Sequence, residues 1–448
     1  MSAPGDTLGP ITLAEGVRRR HALCYLFAAF VSIGLFTYLT ALSPYVFRVN
    51  LGIPESEQGR LSGQLQFWQE IILLGVIGGW GALSDRLGRR AVYVAGFVVL
   101  ALAYALYPFA QTPGWLLVYR LVFAVGVAAT AAMLSTIAGD YPHETSRGRF
   151  VGTSFFLNGL GSVLFFVVLT RLPTIYADAG AGELWAGRYA YLTVAAIALG
   201  AAIVVLGLKP GRPTERRNRP ALGTLLREGV LEARNPRVAL AYGSAFTARA
   251  DMAMVTLFLS LWAVQSATAA GASAAQSTAR AGAVIAISQA TALVSAPLVG
   301  WLGDRLDRVV LMMIAFGCAA LGYGWVGLTA DVLAPSAIPA LVLLGVGQSS
   351  TILASTVIMG QEARADIRGS VFGVQSFCGG LGILAISAIG GRLYDAEGPG
   401  SPFLLLAVLN LLVLGWAWWV KRQTVTPRDP TPMAQPGKAA LRVGPRDP

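Results

Sequence analysis

Residues 81–90 read Gly81-Ala82-Leu83-Ser84-Asp85-Arg86-Leu87-Gly88-Arg89-Arg90, a short polar break between two long apolar runs. Glycine permits close backbone approach, so Gly81 and Gly88 are expected to pack tightly. Asp85 can face a helix N-terminus, where an anion gains up to about 1 kcal/mol. Arg86, Arg89 and Arg90 suit a surface of anionic lipid headgroups. The stretch has an echo at Gly300-Trp301-Leu302-Gly303-Asp304-Arg305-Leu306-Asp307-Arg308, which keeps Gly, Leu, Asp, Arg, Leu and Arg in register.

A second block repeats at almost the same offset. Arg147-Gly148-Arg149-Phe150-Val151-Gly152 matches Arg368-Gly369-Ser370-Val371-Phe372-Gly373, and Gly159-Leu160-Gly161 matches Gly380-Leu381-Gly382. An offset held across several apolar runs marks an internal repeat. Two halves in the same orientation are the parallel-repeat plan of secondary transporters.

The apolar runs supply the rest of the plan. A transmembrane helix needs about 20 mostly apolar residues. Twelve stretches qualify: 22–47, 61–84, 91–110, 115–138, 150–170, 189–208, 238–264, 281–302, 309–329, 334–360, 369–391 and 401–420. The expected fold is an all-α membrane protein of twelve transmembrane helices in two pseudo-symmetric six-helix halves. Residues 1–21 form an N-tail, 22–208 and 238–420 the halves, 209–237 a linker with an amphipathic helix, and 421–448 a disordered C-tail.

Composition agrees. The chain of 448 residues is 55% hydrophobic and 13% charged, about half the charge of a soluble protein. Its net charge of +11 reflects topology rather than nucleic-acid binding. With both termini cytoplasmic, the inner segments hold 26 Lys and Arg and the outer segments 6, as the positive-inside rule requires. Arginine greatly outnumbers lysine, as GC-rich coding in a bacterium would produce, and the expected location is the cytoplasmic membrane. Cys24, Cys318 and Cys378 are widely spaced, and His21 and His143 are the only histidines. No metal site, cofactor or catalytic triad is expected, and no enzyme.

Residues 81–90 resemble the signature loop between spans 2 and 3 of the major facilitator superfamily. Arg120-Leu121-Val122-Phe123-Ala124-Val125-Gly126 is similar to that family's span-4 motif, with Phe123 and Ala124 where Gln and Gly are usual. The similarity covers residues 18–421. It implies alternating access, a gating role for Gly81, Asp85, Arg86, Gly88, Arg89, Arg90, Asp304 and Arg305, and a central-cavity place for Arg120. It also makes Glu144 and Arg147 partners for Arg86 and Asp85. Drug/proton antiporters of the family carry a Gly-Pro motif in span 5, which here reads Asn158-Gly159-Leu160-Gly161 without proline.

Four charges remain inside the apolar runs: Glu70, Arg120, Arg249 and Asp251. An ionisable group at mid-bilayer costs at least about 2.5 kcal/mol and usually faces a cavity. Glu70 lies about 16 Å from the inner face at 1.5 Å per residue, and Arg249 and Asp251 are also near the midplane. Glu70 and Asp251 are the candidate proton carriers. Arg120 and Arg249 are candidates for an anionic substrate group. Two residues apart on a helix, Arg249 and Asp251 cannot both face one cavity. Tyr38, Thr40, Asn158, Gln289, Gln348 and Gln375 are candidate neutral contacts, and Asn410 is a further polar residue. The glycines of spans 2 and 11 are expected to pack helices closely.

These features describe a proton-coupled secondary transporter for a small organic anion or zwitterion, with lipids and solute as partners and a monomeric state. The alternatives are a proton-coupled multidrug antiporter and a non-transporting sensor or assembly factor on the same fold.

Overall fold

The computed structural model describes residues 6–211, 222–363 and 367–423. Twelve helical segments are long and apolar enough to span a bilayer. In order they are span 1 (Arg19–Asn50), span 2 (Glu55–Leu87), span 3 (Arg89–Phe109), span 4 (Pro113–Asp140), span 5 (Glu144–Asp178) and span 6 (Glu183–Val205). Then come span 7 (Pro236–Ala269), span 8 (Ala274–Arg305), span 9 (Arg308–Gly327), span 10 (Pro335–Glu362), span 11 (Arg368–Glu397) and span 12 (Ser401–Gln423). Helices dominate because lipid offers backbone groups no partner, so each segment must satisfy its own. An even number of crossings brings both chain ends to one end of the bundle, here called the terminal end; the other is the far end.

Each half buries its own core. Leu35, Phe97, Phe123 and Tyr191 lie at the centre of spans 1–6. Spans 7–12 pack around Phe258, Tyr323 and Phe403 toward the far end, and around Met312, Ile358 and Val420 toward the terminal end. Spans 1 and 7 are not uniformly α-helical. Each relaxes into a π turn, at Val46–Asn50 and at Val255–Leu259.

Between the halves, a helix over Leu222–Leu231 forms where the apolar spacing predicts one. Tyr242 of span 7 donates to its Gly229 carbonyl at 2.7 Å. The basic stretch before it and the proline-rich tail expected to be disordered fall at 212–221 and 424–448, outside the described residues. The N-tail, legible in the sequence only as a short segment before span 1, is folded from residue 6 onward. β1 (Thr7–Leu8) and β2 (Ile11–Thr12) form a hairpin that buries Ile11, Leu13 and Val17. Main-chain N–H of Thr12 donates to Ser146 Oγ at 3.0 Å, and Lys209 Nζ to the Glu15 carbonyl at 3.0 Å. The tail thereby clamps the connections after spans 4 and 6.

Glycine use divides the helices into packed and unpacked stretches. A methyl group at Gly161 would overlap the Phe30 carbonyl oxygen; at its repeat mate Gly382 it would overlap that of Phe246. Each glycine lets span 5 or 11 touch the backbone of span 1 or 7. Gly88 also behaves as expected: its φ is +94°, and a methyl there would lie 2.6 Å from the Gly211 carbonyl oxygen. Gly75, Gly78, Gly79 and Gly81 do not, because nothing approaches within 4 Å of a methyl at any of them. The expectation of close packing fails there, since these glycines border open space and not a neighbouring helix.

Adding a methyl group where backbone oxygen already sits costs about 1–3 kcal/mol. Gly161→Ala and Gly382→Ala should each lower the melting temperature of the detergent-solubilised protein, whereas Gly78→Ala should leave it unchanged. Equal melting of all three variants would contradict the packing described.

Candidate functional site

The halves meet mainly at the far end. Span 2 crosses span 11 so closely that a methyl at Gly63 would overlap the Ser387 carbonyl oxygen, and one at Gly391 would lie 2.5 Å from that of Gly59. Asp395 of span 11 fastens this crossing. Its carboxylate accepts main-chain N–H bonds from Gly59 at 2.9 Å and Arg60 at 2.7 Å. Gln265 of span 7 donates to Gln58 Oε1 and to the Glu55 carbonyl, each at 3.3 Å, and accepts from the Tyr394 hydroxyl at 2.6 Å. Arg48 of span 1 donates to Thr268 of span 7.

Toward the terminal end the contact stops. Gly159 of span 5 still meets Leu293 of span 8. Beyond that level Phe155 is 71% exposed and Val294 77%, and nothing lies within 4 Å of a methyl at Gly152 or Gly300. The seam is therefore closed at the far end and parted at the terminal end.

Glu70 and Arg249 sit near the level where the seam parts. Glu70 is 5% exposed, and its carboxylate makes no hydrogen bond or ion pair among the described residues. Arg249 is exposed, and its stem packs where a methyl on Gly379 of span 11 would meet Cγ at 2.5 Å. Its guanidinium is close enough to attract Glu70 across the halves. Beside them Leu74 of span 2 packs on Gly380.

Arg120 lies deeper in the closed region, 1% exposed. Its Nη2 donates to Thr40 Oγ1 and, at 3.1 Å, to Gln66 Oε1, and its guanidinium carbon is 5.7 Å from the Phe123 ring centroid. Nε and Nη1 make no hydrogen bond of good geometry, but the hydroxyls of Tyr107, Tyr191 and Tyr104 stand against the group. Gln66 belongs to a buried polar stripe on span 2 with Gln58, Ser62, Gln69 and Glu70. Sequence reasoning missed the stripe, although its spacing of three to four residues is the signal that places side chains on one helical face.

The remaining candidates are distributed between cavity and core. Asp251 points away from Arg249, as their spacing demands. Its Oδ1 accepts from Asn410 of span 12 at 3.0 Å, Tyr323 donates to its main-chain carbonyl at 2.8 Å, and Oδ2 has no hydrogen-bond partner. Gln375 donates to the carbonyl and hydroxyl of Ser355 at 3.0 and 3.1 Å, and Tyr38 to the Leu169 carbonyl at 2.6 Å. These three hold helices together inside one half in this conformation. Asn158 and Gln348 each keep a buried carbonyl oxygen without a partner, and Gln289 is half-buried on span 8.

The loop motif is an ion-pair cluster with different partners from those the resemblance implied. Arg89 binds Asp85 at 2.7 Å and Asp140 at 3.2 Å, and also donates to Ser84. Glu144 bridges Arg147 at 2.8 Å instead of reaching Arg86, because the two lie one helical turn apart. In the second copy Asp307 caps span 9 through the N–H groups of Val309 and Val310 at 3.1 and 3.2 Å. Arg305 stacks on Trp301 at 3.9 Å, and Asp304 is exposed.

The family model described as Major Facilitator Superfamily matches residues 22–387 and 241–445. The chain is 29% identical over 415 residues to magnetosome protein MamH of Paramagnetospirillum magneticum, covering 90% of this chain and 93% of the relative. It is 25% identical over 389 residues to magnetosome protein MamZ of the same organism, covering 85% of this chain but 59% of that protein. A solved bacterial homologue of the human lysosomal transporter Spinster, inward-facing and unoccupied, superposes with a TM-score of 0.66 at 16% identity, over 91% of this chain and 98% of that one.

If Asp395 fastens the far end, Asp395→Asn should weaken both contacts to span 2, since charge-assisted hydrogen bonds are roughly twice as strong as neutral ones. Amide hydrogen exchange over residues 55–63 should accelerate at least severalfold. Unchanged exchange would show that the glycine crossing holds the seam without it.

Proposed function

Because the chain belongs to the Major Facilitator Superfamily, we propose that it moves a small organic solute bearing an anionic group across the cytoplasmic membrane by alternating access, coupled to protons. The observation that carries this reading is the unequal seam: the halves are fastened at the far end and parted at the terminal end, with Glu70 near the level where one gives way to the other. With the basic terminal end in the cytoplasm, the opening faces inward.

Glu70 suits the coupling role for a physical reason. A carboxylate shielded from water favours its protonated form, while a nearby cation favours the charged one. Rocking of the halves changes both influences, because Glu70 stands on span 2 and Arg249 on span 7. Arg249 is available to the solute from the opening, and Arg120 is placed to meet it on the other side. The unpacked glycines at 75, 78 and 79 leave span 2 room to close upon span 11 when the terminal end shuts.

Proteoliposomes under an imposed pH gradient test the reading, with a panel of labelled organic anions and zwitterions. Wild type should accumulate at least one of them in response to the gradient. Glu70→Gln should lose at least about tenfold of the gradient-driven accumulation yet retain solute exchange. Gradient dependence unchanged in that variant would remove Glu70 as the coupling group.

A further inference from the structure

The halves also meet along spans 5 and 8. A methyl on Gly282 of span 8 would overlap Thr170 Oγ1 of span 5 and lie 2.7 Å from the Phe166 carbonyl oxygen. Beside this crossing the two helices draw apart and leave a groove of about 290 Å³. Val163 and Val167 form one wall, and Ala279, Ala283, Ala286 and Ala290 form the other. Side chains three or four residues apart share a helical face, so these alanines keep a slot open along span 8 for about 16 Å. Leu164 and Val168, on the adjoining face of span 5, are exposed and apolar. The groove therefore opens to the hydrocarbon of the bilayer.

Its far end is basic. Arg171 lines it. Arg280 follows Ala279 and lies seven residues before Ile287, a lining residue, which places it about two turns along the same face. Both arginines are exposed, and neither makes a hydrogen bond or ion pair among the described residues. Other far-end arginines are engaged: Arg48 donates to Thr268, and Arg188 stacks on Phe109 and Trp185. Cations on the outer side run against the positive-inside rule, so two of them left unpaired at one groove call for an anion. An apolar slot at hydrocarbon depth below two cations at headgroup level matches an anionic lipid.

We infer that this groove holds an anionic phospholipid, with one acyl chain between spans 5 and 8 and its phosphate between Arg171 and Arg280. Each half supplies one wall and one cation. The lipid therefore ties the halves together and disfavours parting of the far end. Binding of the lipid stands apart from the alternating-access reading above; its bracing role rests on that reading.

Native mass spectrometry of the purified full chain tests the site, with phosphatidylglycerol and phosphatidylcholine of identical acyl chains added in equal amounts. Phosphatidylglycerol should be retained roughly tenfold better. The double variant Arg171→Gln with Arg280→Gln should erase that preference, and Ala283→Trp, which fills the slot, should lower phosphatidylglycerol retention. Arg392→Gln, at an exposed far-end position outside the groove, should change nothing. Equal retention of the two lipids, or a preference that survives in the double variant, would overturn the site.

Vesicles of each lipid test the brace. Replacing phosphatidylglycerol by phosphatidylcholine should accelerate amide exchange over residues 55–63 at least severalfold in wild type, while the double variant exchanges fast in both. Asp395→Asn, which loosens that crossing directly, separates the two ways of failing. Exchange raised by Asp395→Asn but indifferent to lipid would overturn the brace alone. Exchange raised by neither would count against a far end that opens at all.

Discussion

The Asp395 carboxylate, seated on the main-chain N–H groups of Gly59 and Arg60, is the contact on which the state of the molecule depends. It joins span 11 of one half to span 2 of the other where glycines have already brought the two backbones together. Lipid supplies no hydrophobic drive between helices, so such close packing and interhelical hydrogen bonds must provide the attraction. A fastening made of a few hydrogen bonds and close glycine crossings, with no covalent or fused core, can also be undone. That is what a transporter needs and what a fused core would forbid.

From this contact the rest of the arrangement follows. Closing the far end buries the polar stripe of span 2 and encloses Arg120 under Leu257. Parting the terminal end leaves Arg249 exposed and the glycines at 75, 78 and 79 without neighbours. Within each half, by contrast, the tight crossings at Gly161 and Gly382 and the Asp251–Asn410 bond hold the helices as a body. The Arg89 cluster with Asp85 and Asp140 and the clamped N-tail stiffen the terminal end of the first half.

Most of the fold was legible because its signals are long. Twelve apolar runs, a loop quoted twice and an offset kept near 220 residues define the helices and their doubling without reference to any single contact. The site was legible only where a residue is costly: Glu70, Arg120, Arg249 and Asp251 stand out because charge inside a bilayer is expensive. Which of them face the seam was partly readable, since the spacing of Arg249 and Asp251 forces them apart. The partners of the loop charges were not, because Glu144 can meet Arg147 one turn along its own helix as easily as a residue in another loop. Glycines mislead in a related way. The same residue serves a crossing that is packed now, as at Gly382, or a surface that is open in this state, as at Gly78. The hairpin of the N-tail leaves too short a pattern to be read.

The central claim is that the two halves rock as bodies, opening one end as the other closes. Paired spin labels measure this directly, one pair across the far end at Gln111 and Asp331 and one across the terminal end at Thr145 and Gln361, all exposed positions. The account predicts two populations with opposite changes: wherever the terminal distance shortens, the far distance lengthens, and the balance shifts with pH in wild type but not in Glu70→Gln. Distances that stay fixed, or that change at one end alone, would contradict it.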